Sequence, residues 1–462
     1  MKRLIGVSLL IFSLFFNAFS QNKDTANVNL TNFKLFPGTF SWRGTNTYYD
    51  MTSWDSSPFT EGTLKQKSGS NWLFRMNYRL LYPGGKADKS GWDPTYKPGY
   101  PIIVFLHGGG ERGNCWNGTC YCGTNNGCDV NGTPIPGTDS RFLNNDNVLV
   151  NGGQTHLNSV VLAGTKKPDN VTLDGRAFPG FLLYPQNVNA WGNDNSGSSD
   201  LSYAIRIVRL LVKQLNIDPN RIYIHGLSLG GQGVYKAMNM ADWLWACALT
   251  MSGLDYQQGL EYDSVANIPL WVFQGGQDTQ VTPSQSASLV KKFRQAGGIA
   301  RYTVYPTLGH GTWNTAYAEP DFFTWILSHN KANIHVPFDN PNICGTTGAG
   351  VNLTLSQGFP AYQWERDGQV IAGATGYQYM ANIPGVYRAR FSRISGNPTE
   401  AQWNRWSDPV TISEKTPDVP VVKQTGTIVL SDLNNNKNAT LTGPDGFEHY
   451  YWYKNGASTT LL

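Results

Sequence analysis

The chain has 462 residues, a formal net charge of +4, 15% charged and 13% aromatic residues, and 50 glycines. That length leaves room for one large domain with one or two small ones. The charge is too small and too dispersed to suggest a nucleic-acid partner, and no basic run occurs.

The abundance of Asn, Gly, Tyr and Trp resembles secreted proteins that touch polymers more than cytosolic enzymes. Residues 1–20 read as an export signal: Lys2-Arg3, an apolar run from Leu4 to Phe16, and Ala18-Phe19-Ser20 as a small-x-small cleavage site before Gln21. The run is too short to span a bilayer comfortably, and no later segment reads as transmembrane. No cysteine follows the cleavage site, so a lipid anchor is not expected. The mature chain is expected to be soluble, extracellular or periplasmic, and able to keep disulfides.

Residues 21–71 read as an N-terminal extension packed on the main domain. Trp72 to Leu81 alternates well enough for a strand, which Tyr82-Pro-Gly-Gly85 breaks. Tyr100 to Leu106 is an unbroken apolar run, as in a strand buried on both faces, and His107-Gly-Gly-Gly110 follows it. Glycine backbone N–H groups placed there can point at a ligand oxygen. Residues 114–158 are rich in Gly, Asn and Thr and carry Cys115, Cys120, Cys122 and Cys128. Two local disulfides stapling a surface insertion on the rim of a site are expected. The spacing does not follow the pairs of a metal site, and four cysteines allow three connectivities.

Phe181 to Gln186 reads as another buried strand. Leu201 to Leu215 has apolar residues at helical spacing, with Ser198, Ser199 and Asp200 available to cap it. Asp218-Pro219-Asn220 reads as a turn into a strand, and Gly226-Leu-Ser228-Leu-Gly230 ends that strand at the start of a helix. A Gly-x-Ser-x-Gly is weak evidence in so glycine-rich a chain. Between strand and helix it is the sharp turn that lifts a serine hydroxyl clear of a sheet. Trp245 to Met251 is the next strand, with Cys247 read as a buried thiol. Pro269 to Phe273 and Gln274-Gly-Gly-Gln-Asp278 repeat the strand-then-glycine pattern and end in an acid. Thr282-Pro283 opens a helix that Gly297-Gly298 stop. Arg301 to Tyr305 is a last strand before His310, and Asp321 to His329 reads as the closing helix.

Ser228, Asp278 and His310 thus come in the order nucleophile, acid, base, each just past a strand. A serine hydroxyl is a poor nucleophile near neutral pH. His310 would take its proton and return it to the leaving group, while Asp278 would fix the imidazole tautomer. The N–H groups of Leu229 and of Gly109 or Gly110 would bind an oxyanion, each worth about 10²–10³ in rate. Asp255 is the rival acid. His107 is read as structural at the glycine loop, His225 as a packed core residue, and His329 and His335 as peripheral. No motif requires a metal or cofactor.

Past residue 335 helix signals stop. Residues 340–414 look all-β, with Val351, Leu353 and Leu355 alternating before Tyr362 and Trp364. Tyr362-Gln-Trp364-Glu-Arg-Asp-Gly368 aligns with Tyr450-Tyr-Trp452-Tyr-Lys-Asn-Gly456. A buried Trp before a hairpin glycine resembles immunoglobulin-like sandwiches. Cys344 stands alone, so the paired cysteines of antibody domains are missing. Residues 418–462 read as a second module that lacks its later strands, as if the chain were cut short.

Leu106 to Gly113, Pro185-Gln186 with Trp191, Gly226 to Gly230, Gln274 to Asp278 and Gly309-His-Gly-Thr-Trp313 together resemble one family. It is the exported α/β-hydrolases related to polyhydroxybutyrate depolymerases, feruloyl and acetyl-xylan esterases and predicted peptidases. The resemblance covers about residues 72–330 and departs from the family in the cysteine-rich insertion and at Gln274, where His is frequent. It implies a doubly wound, mostly parallel catalytic domain over residues 21–335, followed by all-β immunoglobulin-like modules that could contact polymer or cell surface. The expected activity is hydrolysis of carboxylic esters, acetyl or feruloyl groups on polysaccharides, through an acyl-enzyme. A serine peptidase and an adhesion protein with a vestigial hydrolase domain are the rivals. Trp191, Trp313 and Tyr317, among neutral Asn and Gly, suit sugar rings and aromatic acyl groups.

Overall fold

A computed structural model describes residues 30–37, 58–112, 115–116, 119–120, 148–168, 175–187, 190–191, 200–253, 259–345, 349–415, 423–426 and 439–442. In chain order the larger, α/β part contains β1 (Phe33–Pro37), β2 (Thr60–Ser68), β3 (Asn71–Leu81), β4 (Tyr100–Leu106), the short β5 (Cys115–Trp116) and β6 (Thr119–Cys120), and α1 (Gly153–Ala163). There follow β7 (Phe181–Gln186), α2 (Asp200–Gln214), β8 (Ile217–Leu227), α3 (Leu229–Met240), β9 (Cys247–Met251), α4 (Tyr262–Val265) and β10 (Leu270–Gly275). Last come α5 (Pro283–Gln295), β11 (Ala300–Tyr305), α6 (Trp313–Tyr317) and α7 (Phe322–Ser328).

Nine strands make one sheet in the order β1-β2-β3-β7-β4-β8-β9-β10-β11. From β7 to β11 every neighbouring pair is parallel. The β1, β2, β3 end is antiparallel. Every residue of β4, β7, β9 and β10 is buried, which their continuous apolar spelling requires of strands covered on both faces. One face carries α2, α3 and α5, whose Leu211, Val234, Met238, Val290 and Phe293 pack on Ile102, Val104 and Ile224. The other carries α1 and α7, whose Leu157, Val160, Phe322 and Ile326 pack on Ile103, Phe105 and Tyr223.

Three sequence readings need correction. The extension over residues 21–71 supplies β1 and β2 to the sheet rather than merely packing on the domain. The cysteine-rich insertion over residues 114–158 ends inside α1, a helix that runs to Ala163. Asp218-Pro219-Asn220 does not precede the nucleophile strand but bulges within it: the register slips between Tyr100 and Ile102, and Asp218 Oδ1 accepts the Asn220 N–H at 2.9 Å. The α5 reading holds in detail, with Thr282 and Gln285 forming a capping box and Gly297 taking φ 85° past the end.

The C-terminal part, from about residue 336, is β-rich. Strands β12 (Asn342–Cys344), β13 (Val351–Thr354), β14 (Ala361–Arg366), β15 (Gln369–Val370), β16 (Gln378–Ala381), β17 (Gly385–Ser392) and β18 (Val410–Lys415) form one sheet in the order β12-β18-β17-β14-β15 and the pair β13-β16. Leu353, Trp364, Tyr387 and Phe391 close a core between them. The β14–β15 hairpin turns through Asp367 at φ 51° and Gly368 at φ 76°, the two positive values of a type I′ turn. In the second module the described residues form β19 (Lys423–Gly426) and β20 (Ala439–Thr442), an antiparallel pair. The Trp452 segment lies outside the described residues.

The β unit seats on the amino ends of the parallel strands. Arg393 donates to Asn220 Oδ1 at 2.9 Å, the Lys331 N–H donates to Asn220 O at 2.9 Å, and His335 Nε2 donates to Gly297 O at 3.1 Å.

Candidate active site

The strand-to-helix turn after β8 is shaped by crowding. Ser228 sits at φ 50° and ψ −117°, a region that costs about 1–3 kcal/mol for a non-glycine residue. Its N–H is tied to Met251 O at 2.8 Å and its carbonyl accepts the Gln232 N–H at 3.1 Å. The flanking glycines are there because backbone passes too close for a side chain. A Cβ on Gly230 would lie 1.8 Å from Leu106 O, and one on Gly226 would lie 2.5 Å from the Gly230 backbone. This contact presses the first turn of α3 against the carboxyl end of β4, next to the glycine loop.

His310 and Asp278 meet Ser228 from the loops after β11 and β10. His310 Nε2 is 2.8 Å from Ser228 Oγ, and His310 Nδ1 is 2.9 Å from Asp278 Oδ2. With Nδ1 donating to the carboxylate, Nε2 is left as the acceptor of the serine proton, the tautomer that general-base chemistry needs. Asp278 Oδ1 accepts N–H groups from Gln280 at 2.8 Å and Val281 at 3.0 Å. Burial works to raise the Asp278 carboxyl, but the N–H of Val281, the ring of His310 and the N–H of Gln280 together hold it below its ordinary value. Asp255, the rival acid, lies outside the described residues.

Leu229 is the first residue of α3, so its N–H has no intrahelical partner. Gly109 and Gly110 open a 3₁₀ turn ending at Glu111, and a Cβ on Gly109 would meet nothing within 4 Å. Arg112 Nε donates to Gly109 O at 2.8 Å, and buried Glu111 accepts the Asn151 amide just before α1. His107 braces the loop from below: Nδ1 donates to Gly108 O at 2.7 Å and Nε2 accepts the Asn187 N–H at 3.0 Å. Burial, with a smaller effect of Arg112, pushes the His107 ring down to about 4, so it stays neutral. His225 is fully buried, as expected for a core residue.

The aromatic expectations divide. Trp191 is 0% exposed, donates from Nε1 to His107 O at 2.9 Å and packs on Gly233, so it supports the loop and faces no substrate. Tyr317 is likewise core, wedged against Gly152. Trp313 is half-buried, its ring edge-on to His310 at 6.0 Å, and keeps its place beside the site. Cys115 and Cys120 are register partners in the β5–β6 hairpin, but their side chains, Cys122 and Cys128 lie outside the described residues. Cys247 is buried and free. Among the described residues no group of three or more His, Cys, Asp or Glu could hold a metal ion, and no helix is long and apolar enough to cross a membrane.

Three braces escaped the sequence reading. Ser252, at φ 48°, shares a 3.0 Å hydrogen bond with Thr312, two residues past His310. Gln274 reaches Asp278 from β10. His156, on α1, hydrogen-bonds the Tyr184 hydroxyl within the core. Gln274 alone carried a signal, its place just before the glycines of the acid loop.

Residues 184–264 match the model of the prolyl oligopeptidase family. That stretch runs from β7 to α4 and includes Ser228, but neither Asp278 nor His310. No curated protein matches the chain. A solved thermostable esterase is 27% identical, covering 59% of this chain and 63% of its own, with a TM-score of 0.41. An acylaminoacyl peptidase from Pyrococcus horikoshii is 14% identical over 58% of this chain and 39% of its own, at 0.34. A ferulic acid esterase is 15% identical over 58% of this chain and 97% of its own, at 0.38. The chain spans less than two thirds of the length of the first two. These scores are low, and the architecture rests on the chain's own sheet order. The side chains of Ser228, His310 and Asp278 form one hydrogen-bonded run at the carboxyl ends of the parallel strands.

Proposed function

We propose that the chain is an exported serine hydrolase that cleaves carboxylic esters, acetyl or feruloyl groups carried by polysaccharides. The observation that carries this is the unbroken run Ser228 Oγ to His310 at 2.8 Å and His310 to Asp278 at 2.9 Å, with the serine on a strained turn. His310 takes the proton of Ser228 as Oγ attacks the ester carbonyl. The oxyanion is received by the N–H groups of Leu229 and of Gly109 or Gly110. Return of the proton from His310 releases the alcohol, and water then repeats the sequence on the acyl-enzyme. Asp278 stabilises the imidazolium in both halves.

Esters are favoured over amides by Trp313 beside His310, a neutral aromatic face suited to a sugar ring or an aromatic acyl group. The peptidase reading is supported by the prolyl oligopeptidase match over residues 184–264. We read the β-rich part as immunoglobulin-like on the strength of buried Trp364 and of the Tyr387 hydroxyl bonding back to Ile383 O at 2.7 Å. The test is a panel of acetylated and feruloylated xylo-oligosaccharides beside peptides of similar length, with Ser228→Ala as control. Turnover of the sugar esters alone, abolished in Ser228→Ala together with fluorophosphonate labelling, is expected. Peptide cleavage that needs Ser228, with the esters untouched, would reverse the assignment.

A further inference from the structure

Gln274 is the last residue but one of β10 and is 0% exposed. Its amide nitrogen faces three oxygens: Val281 O at 2.7 Å, Gly275 O at 3.1 Å and Asp278 Oδ2 at 3.3 Å. Its amide oxygen lies 2.6 Å from Ser286 Oγ on α5. This pattern fixes the orientation of the amide. Oxygens on that side can accept only from the NH₂ end, whose two hydrogens are shared among the three, and a serine hydroxyl can donate to the other end.

The acid loop is therefore held from outside itself. Residues 276 to 282 form the turn between β10 and α5, and Gln274 and Ser286 belong to the rigid elements on either side. The amide spans from the loop backbone at Val281 to the carboxylate oxygen that faces His310. That oxygen receives two donors, His310 Nδ1 and Gln274 Nε2, while Oδ1 receives the two backbone N–H groups. Rotation of the carboxylate about its Cβ–Cγ bond would break contacts at both ends.

We infer that Gln274 is a positioning residue for the reaction: anchored by Ser286, it holds the Asp278 carboxylate in register with His310 and shares its negative charge. The inference rests on the reading of Asp278 as the acid of a Ser-His-Asp triad. It adds to that reading that the acid is set by a strand residue immediately ahead of the glycines, with no contact to substrate.

The test uses the full chain and a small soluble ester, with four proteins compared: wild type, Gln274→Glu, Ser286→Ala and Asp278→Asn. Gln274→Glu keeps the shape but sets a second carboxyl against Asp278. Its kcat should fall at least 10-fold at unchanged KM, and the acidic limb of the kcat/KM profile should move to higher pH, because added negative charge favours the imidazolium. Ser286→Ala, which frees the amide to turn, should lower kcat a few-fold with KM unchanged. Rates are referred to active sites counted by fluorophosphonate burst, so that a loss of folded protein does not count as a loss of rate. Should Gln274→Glu not fold, Ser286→Ala decides. Unchanged kcat and acidic limb in the folded variants, with Asp278→Asn inactive, would show that Gln274 merely supports the fold. An active Asp278→Asn would instead remove the triad reading beneath the inference.

Discussion

The turn bearing Ser228 is set by backbone crowding, whereas the loops bearing Asp278 and His310 add side-chain hydrogen bonds to a crowding of their own, a Cβ on Gly275 lying 2.0 Å from Gly309 O. Around Ser228 the neighbours are main chain: Leu106 O against Gly230, and the Gly253 Cα against Gly231, where an added Cβ would lie 2.7 Å from it. Around Asp278 itself they also include a polar side chain and N–H groups at 2.8 to 3.3 Å. Crowding is all-or-none, because interiors are packed too tightly to yield. Hydrogen bonds can be removed one at a time, so the acid and base side should degrade in steps.

The largest effect expected on the graded side is that of Asp278→Asn. Its amide would set an NH₂ against either the donors at Oδ2 or those at Oδ1, so the imidazole loses the tautomer that Ser228 needs. A fall in kcat of about 10⁴ is expected with little change in the thermal melt. A fall of only a few-fold would mean that His310 needs no acid, and the contrast would collapse.

On the crowded side the informative pair is Gly230→Ala and Gly109→Ala. The first puts a Cβ 1.8 Å from a carbonyl oxygen and the second puts one in open space. Gly230→Ala should lose about 1–3 kcal/mol or more in denaturant unfolding. Gly109→Ala should stay within about 0.5 kcal/mol of wild type. Equal midpoints would show that the turn can relax.

Acid separates the sides again. His107 and His156, fully buried, are pushed by burial from 6.5 to about 4 and about 3. Between those values and 6.5 the unfolded chain binds more protons than the native one, so stability falls as pH falls, by up to about 1.4 kcal/mol per pH unit for each ring. Asp278, held below its ordinary 3.8, contributes stability that is present above that value and lost only as pH drops through its lower native one. Melts taken from pH 7 to 4 should therefore decline from about pH 6.5, before Asp278 titrates. A flat profile down to pH 4 would contradict the buried neutral rings.

The smallest effect is expected for Thr312→Val, which removes the bond to Ser252. It should cost about 1 kcal/mol in the melt. Because it loosens the His310 loop, it should also lower kcat a few-fold at constant KM. An unchanged kcat would limit the brace to stability.

The parallel sheet was legible because strands covered on both faces must be apolar throughout, and β4, β7, β9 and β10 are spelled that way. Ser228, Asp278 and His310 were legible because chain order and glycine turns mark the carboxyl ends of strands. Strands β1 and β2 were not, since β2, paired between β1 and β3 near the sheet's antiparallel end, carries Lys65, Gln66 and Lys67 and shows no apolar run. Helix α1 starts at Gly153 after Gly152, with no side-chain cap to announce it. Trp191 shows a different limit. A tryptophan in a loop reads alike whether it faces a sugar or fills a hole, and only the His107 carbonyl and Gly233 decide between them.

The seat of the β unit bears on how the chain, acting as proposed, would meet a solid. Ser228 stands at the carboxyl edge of the sheet, and Arg393 and His335 hold the β unit at the amino edge. A particle gripped through the C-terminal β unit would thus lie behind the molecule, with Ser228 on the far edge of the sheet from the support. Under the proposed polysaccharide-esterase reading, such an arrangement would act on strands or fragments that come to it from the surrounding liquid and would leave the anchoring surface itself uncut.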